Sequence, residues 1–290
     1  MRAWTALVRF LHRPVDSRPL ALVRIFVCLA LVLDLLRVAQ LGLVGTYYVP
    51  AELGGLSTFR DDAFVLDDLL GPYWDPATSG PLLFWVSLVL LLFPLAGVGG
   101  WPMVLVAVLV YAQLGHLYPP GDRGVDRILR TVLLVLAFSG ADRRFSLSRR
   151  PRLDTLAAWP SDLLRFFLVL VYLAAGLGKL MQTWNWLAAS GPAVLYRIMG
   201  DPLASDVPAT ALKPAMGLLR VGGWGTIVLE LSAPLILTPI CRYWAIFGAL
   251  MHLGIAATMV LGMFSWGMLA LYPVLFAPWT CKVLDRIGIT

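Results

Sequence analysis

Long apolar stretches, separated by short runs of Arg, Asp, Gly and Pro, make up almost the whole chain. Stretches at about 20–44, 81–98, 101–118, 126–141, 162–182, 222–238, 242–260 and 262–279 are long enough, or nearly so, to cross the roughly 30 Å hydrocarbon layer as helices. The pattern predicts an all-α fold: a polytopic integral membrane helical bundle of about eight transmembrane helices. The opening run MRAWTALVRFLHRPVDSRP alternates Arg and His with apolar residues. It predicts an amphipathic helix on the membrane surface within 1–17, followed by a transmembrane domain over 18–280 and a tail over 281–290. Two long loops, 45–80 and 183–221, hold Gly-Pro and Asp-Pro turns with amphipathic pieces such as VLYRIM and ALKPAMGLL, and predict interfacial half-helices roofing a cavity. GVGGW at 97–101 and VGGWG at 221–225 flank spans and predict helical hairpins or caps.

Charge sets the orientation of this bundle. Arg2, Arg9, Arg13 and Arg18 precede the first span, Arg143, Arg144, Arg149, Arg150 and Arg152 follow the fourth, and Lys282 and Arg286 end the chain. All fall on one side if there are eight spans, so both termini are expected in the cytoplasm. The loop at 45–80 carries Glu52, Asp61, Asp62, Asp67, Asp68 and Asp75 against Arg60, as expected of the opposite side. The chain has 290 residues, 59% of them hydrophobic and 14% charged, and a mean hydropathy of +0.80, which leaves no stretch for a sizeable soluble domain. The net charge of +6 is therefore read as loop arginine that orients spans, and no nucleic-acid partner is expected. Cys28, Cys241 and Cys281 lie far apart with no metal-ligand spacing, and with three histidines in the chain no metal centre is expected.

Ionisable residues inside apolar spans are the candidate chemistry. Asp34 and Arg37, three apart, are expected to neutralise each other on one helical face, while the spacing of Asp122, Asp126 and Arg130 predicts a second line of paired charge. Glu230 lies about 12 Å into its helix and needs a partner, which Arg24, Arg37, Lys179 or His252 could supply. His252 lies mid-span, where an uncharged imidazole bonded to a neighbouring helix is the simplest reading. Lys179 stands near the outer end of its span; it either snorkels to the interface marked by Trp184 and Trp186 or faces a site. No GxSxG, GxGxxG, P-loop or HExxH pattern is present. The remaining set of Lys, Glu, His, Asp and Arg among aromatics suits an amphiphilic ligand such as a quinone or a lipid.

Five segments carry a resemblance: RPLALVRIFVCLALVLDLLR at 18–37, GDRGVDRILRTVLLVLAFSGADRRFSLSRR at 121–150, YLAAGLGKLMQTWNW at 172–186, LELSAP at 229–234 and MHLGIAATMVLGMFSWGMLALYPVLF at 251–276. In this order and spacing they resemble the HTTM (horizontally transferred transmembrane) family, whose best-known relative is the vitamin K-dependent gamma-carboxylase. The resemblance implies packed transmembrane helices with a site opening to the extracytoplasmic side of the cell (inner) membrane. It places Lys179 on the lysine proposed as the family's catalytic base; a second, adjacent lysine of the carboxylase is Gly178 here. In the carboxylase a deprotonated lysine takes a proton from vitamin K hydroquinone, which reacts with oxygen to form the base that allows glutamate to be carboxylated.

By the same resemblance, a reduced quinone is the expected cofactor, with His252, Glu230, Tyr172, Gly176, Met263 and Phe264 lining its pocket. Gly176, one turn before Lys179 on the same face, would admit another helix or a flat ring. The expected activity is that of a hydroquinone-dependent epoxidase or carboxylase. Expected partners are membrane lipid, a quinone-like molecule, and a separate peptide substrate or partner protein. The carboxylase continues into a large lumenal domain, where about ten residues follow the last span here. The alternative expectation is accordingly a non-enzymatic factor that binds a lipid or aids maturation or export of a secreted peptide.

Overall fold

A computed structural model of the protein describes residues 2–57, 76–181 and 193–289. Trp184, Trp186, Arg60 and Asp61, Asp62, Asp67, Asp68 and Asp75 lie outside the described residues. The chain divides into two compact units, Met1–Pro160 and Ser161–Thr290. Among the described residues, four helices are long and apolar enough to cross a membrane, or up to five if the bent pair near the C-terminus is one span.

The first unit opens with α1 (Arg2–Leu11), whose Trp4, Leu7 and Phe10 are exposed on one face, as an amphipathic surface helix requires. A short strand follows that the apolar pattern does not announce. β1 (Pro14–Asp16) pairs antiparallel with β2 (Thr155–Ala157), Val15 opposite Leu156. Three-residue strands carry too little alternation to be read from sequence.

α2 (Arg18–Gln40) packs against α4 (Pro76–Ala96) and α6 (Gly124–Ala137), with α3 (Val44–Tyr48) between α2 and α4 in the chain. α4 and α5 (Gly100–Leu117) form a hairpin. Its turn needs glycine: Gly97 and Gly99 have φ of 71° and 89°, and a Cβ on Gly97 would stand 2.6 Å from Ser146 Oγ. α6 has 14 residues, about 21 Å of helix, so the stretch at 126–141 is not one full-length span.

Arg24 holds this unit together from inside α2. Its guanidinium, 2% exposed, donates to the carbonyls of Pro94, of Leu95 at 2.9 Å, of Arg144 at 3.1 Å and of Phe145 at 2.8 Å. The first two belong to the last turn of α4, where carbonyls lack the next turn of N–H groups and a cation also suits the helix dipole; the Pro94 carbonyl accepts from Gly97 N–H as well, at 3.1 Å. Arg24 is thus committed to the backbone of its own unit and is not the partner of Glu230.

α7 (Trp159–Met181) carries the chain into the second unit, which continues through α8 (Ala193–Gly200), α9 (Ala209–Leu212), α10 (Met216–Leu231) and α11 (Cys241–Thr258). Of the amphipathic pieces of the 183–221 loop, VLYRIM forms the short helix α8, whereas ALKPAMGLL runs from the end of α9 across a turn at 213–215 into the first turn of α10. VGGWG is not a turn but the interior of α10, where Gly223 lets Leu195 of α8 come within 3.1 Å of its Cβ position. Beyond Ser232 the chain tightens into a 3₁₀ turn, Ala233–Leu237, with Pro234 unable to continue the helix.

The last apolar stretch is broken rather than continuous. α12 (Phe264–Leu269) and α13 (Tyr272–Leu275) lead into α14 (Ala277–Arg286) through an 86° bend. Pro273 and Pro278 start the two later pieces, and Arg165 of α7 donates to the Val274 carbonyl at 2.9 Å beside the bend.

Candidate functional site

The second unit brings several polar residues of its helices into two neighbouring groups. Gly176 begins the first. A Cβ there would lie 3.0 Å from Glu230 Cβ and 3.1 Å from Leu231 Cδ2, so the glycine is used for close approach of α10, and not for a planar ligand. That approach brings Glu230 under Lys179. The ammonium reaches both carboxylate oxygens, at 2.7 and 2.8 Å, and the side chains are 20% and 7% exposed. Of the partners considered for Glu230, the structure selects Lys179. Partial burial of such a pair is expensive in itself, and the attraction between the two charges offsets part of that cost.

Two turns back on the same face of α7, at the i, i+7 position, Tyr172 begins the second group. Its hydroxyl lies 2.8 Å from His252 Nε2 of α11 and 3.0 Å from the hydroxyl of Tyr272 on α13. All three are buried, and His252 Nδ1 has no hydrogen-bond partner among the described residues. Rings close around them. Trp244 meets Tyr172 edge-on at 4.8 Å and Phe264 tilts over His252 at 5.8 Å. Trp244 is itself fixed, its indole N–H donating to the Leu229 carbonyl at 3.0 Å. Met263 precedes α12 and its carbonyl accepts from Gly267 N–H at 2.7 Å, a turn-forming role with no contact to Lys179 described.

Tyr272 and Trp244 were not foreseen. Each is an aromatic residue in an apolar run, where only a hydroxyl or an indole N–H that must find a partner when buried hints at a role. Alongside this cluster, α8, α10 and α11 enclose an apolar groove of about 710 Å³ lined by Leu195, Met199, Leu229, Trp244, Phe247 and Met251 among others. Trp244 belongs to both the groove and the Tyr172 group.

The remaining candidates lie in the first unit and form their own network. Asp34 is met by Arg123 at 2.6 Å, and not by Arg37, which is exposed on the same helix. Arg123 also binds Asp126 at 3.0 Å, and Tyr111 donates to Asp126 at 3.2 Å. An arginine just before α6 can reach across to another helix, whereas Arg37 on the shared helix points to the surface. Asp122 precedes α6 instead of extending its face, and is clasped by Arg127 at 2.9 Å and Arg130 at 2.7 Å. Burial pushes the Asp122 carboxyl up, but hydrogen bonds from Arg130 and Arg127 outweigh this and hold it below the usual carboxylate range.

A carboxyl depressed in this way stabilises the fold above its unfolded pKa of about 3.9, and that contribution disappears as pH falls through the lower folded value. Thermal melts of the wild type and Asp122→Asn in detergent should therefore differ at neutral pH and converge as pH drops below about 4. A gap that persists into strong acid would mean that the clasp is not the source of the difference. Among the described residues, no group of three His, Cys, Asp or Glu side chains is placed to hold a metal.

The family model described as HTTM domain matches residues 128–279, just over half of the 290-residue chain. The chain belongs to the HTTM domain family. The matched region contains Tyr172, Lys179, Glu230, His252 and Tyr272, so the paired charges and the Tyr-His-Tyr chain are parts of the HTTM domain itself. The Asp34 and Asp122 positions precede it. No curated protein and no solved structure matches the chain. As an HTTM protein with four helices of membrane-spanning length and composition, it is a membrane protein.

Proposed function

We propose that this HTTM protein is a carboxylase-like enzyme of the cell (inner) membrane that moves protons on a reduced quinone, with Lys179 as the base. The observation that carries the proposal is the buried Lys179–Glu230 pair, two helical turns from the Tyr172–His252–Tyr272 chain in one helical unit. The proposal includes a multi-pass topology of about eight spans with both termini cytoplasmic, supported by the distribution of arginine between loops. That topology puts Lys179 at the extracytoplasmic end of α7.

The residues present fit a quinone-type ligand. The groove has the volume and apolar lining for a ring with a hydrocarbon tail, and Trp244, one of its walls, packs edge-on against Tyr172, behind which His252 keeps an Nδ1 with no partner among the described residues. Bound there, a hydroquinone supplies hydroxyl groups that can lose protons. A ring that reached past Trp244 would meet His252 and Tyr172, which would orient its hydroxyl by hydrogen bonding, and the rings of Trp244 and Phe264 would keep water away.

Lys179 cannot take a proton while it is an ammonium held by Glu230. Transfer of one proton along the 2.7 Å hydrogen bond from Nζ to Oε1 leaves a neutral amine and a neutral acid, and the amine is then a base. Glu230 is a positioning residue that stores the proton. Partners under this reading are membrane lipid, the quinone and a separate peptide substrate.

Purified protein given reduced quinone and oxygen should form the epoxide, and Lys179→Ala should lower turnover by about 100-fold or more with the helical content unchanged. Absence of turnover across a panel of quinones overturns the proposal.

A second reading is favoured by the same pair: the Lys179 ammonium is already engaged by both carboxylate oxygens of Glu230, and the groove suits an acyl chain. In that case the protein is a non-enzymatic factor that holds a lipid or aids maturation of a secreted peptide. Lys179→Met with Glu230→Leu would then leave the cellular phenotype intact, and substitutions lining the groove would abolish it.

A further inference from the structure

A second cavity in the same unit lies at the end of α11, about 270 Å³ in volume. Its walls are Ala256 to Gly262, Ser265, Trp266 and, from the loop before α9, Asp206. The segment is built and not merely loose chain. Val260 N–H, which in a continuing helix would bond to Ala256, bonds instead to the Ala204 carbonyl at 2.8 Å. Ser205 donates to the Thr258 carbonyl at 2.6 Å and accepts from Val207 N–H at 3.1 Å. Asp206, between these two anchored residues, is thereby fixed at the cavity wall.

Several polar features of this cavity are hydrogen-bond acceptors. Ala256 and Ala257 belong to the last turn of α11, the negative end of an 18-residue helix whose carbonyls there lack the next turn of N–H groups. Asp206 adds a carboxylate. Ser265, 3% exposed, lines the space with a hydroxyl that has no hydrogen-bond partner among the described residues. Trp266, half-exposed, offers an aromatic face of the kind that attracts cations. The volume corresponds to roughly nine waters, too large for a bare ion and right for a group of several heavy atoms.

We infer that this cavity binds the primary ammonium of a small amine, carried either by a free molecule or by the ethanolamine headgroup of a lipid. Carboxylate, hydroxyl and carbonyl acceptors call for a cation with several N–H donors, which a primary ammonium has and a trimethylammonium lacks. The site is separate from Lys179 and does not depend on the quinone reading.

The test uses the full-length protein in phosphatidylcholine nanodiscs, titrated calorimetrically with ethanolamine and with choline. A parallel arm reconstitutes it in mixed phosphatidylethanolamine and phosphatidylcholine and reads retained lipid by native mass spectrometry. The expected result is at least about tenfold preference for the primary amine, lost by about tenfold in Asp206→Asn and weakened in Ser265→Ala. Binding of free ethanolamine assigns the site to a soluble amine; selective retention of phosphatidylethanolamine without it assigns the site to lipid. Equal binding of ethanolamine and choline, no preference in either arm, or a preference that survives both substitutions overturns the inference.

Discussion

Glu230→Ala destabilises the folded protein by about 3–5 kcal/mol, because it leaves the Lys179 ammonium, 20% exposed, without the carboxylate that grips it at 2.7 and 2.8 Å. The double replacement Lys179→Met with Glu230→Leu recovers most of that loss, to within about 1 kcal/mol of the wild type, since an apolar pair of similar volume removes both desolvation costs. Unfolding in detergent, followed by circular dichroism and completed as a double-mutant cycle, measures the coupling. The cycle also separates the two functional readings. A double variant that is folded but inactive assigns chemistry to the pair, and one that is folded and fully competent in the cell assigns it to structure.

Arg24→Leu has an effect of similar size on the first unit. It removes the donor that serves the carbonyls of Pro94, Leu95, Arg144 and Phe145, and hydrogen bonds to a charged group contribute about 1.5–3 kcal/mol each. The losses are not additive, and a net cost of about 3–5 kcal/mol is expected, with the protein melting earlier in detergent. Arg24→Lys rescues only in part: an ammonium keeps the charge but cannot spread a planar fork over two separate chain segments. A lysine variant as stable as the wild type would show that charge at the α4 terminus, and not the fork, is what matters.

The helices most legible in the sequence were those with unbroken apolar content. α2, α4, α5 and α7 could be read because their length and hydropathy leave no soluble alternative. The break between α12 and α14 was hidden, because Tyr272, Pro273 and Pro278 sit in a run whose hydropathy stays high whether or not the helix is straight. GVGGW and VGGWG have nearly the same composition, yet one is a turn with positive φ and the other a helix interior beside Leu195; only the tertiary neighbours distinguish them.

The site was legible as residues and not as pairs. Lys179, Glu230 and His252 drew attention because each is costly in an apolar span. Which charge Glu230 would meet depended on Gly176 admitting α10, and which group His252 would meet depended on a tyrosine 80 positions away. Asp34 shows the limit of local spacing: a neighbour at i+3 on the same helix was available, and Arg123, 89 positions distant, was better placed.

The separation of 51 positions between Lys179 and Glu230 also sets an order of events during synthesis. At ordinary translation speeds, Glu230 leaves the ribosome about 3–10 s after Lys179, so the carboxylate that will hold the ammonium is made well after α7. Until α10 arrives, α7 lacks the Glu230 carboxylate that holds its ammonium in the folded protein. Nascent chains stalled before residue 230 should accordingly be the ones that quality-control proteases remove fastest.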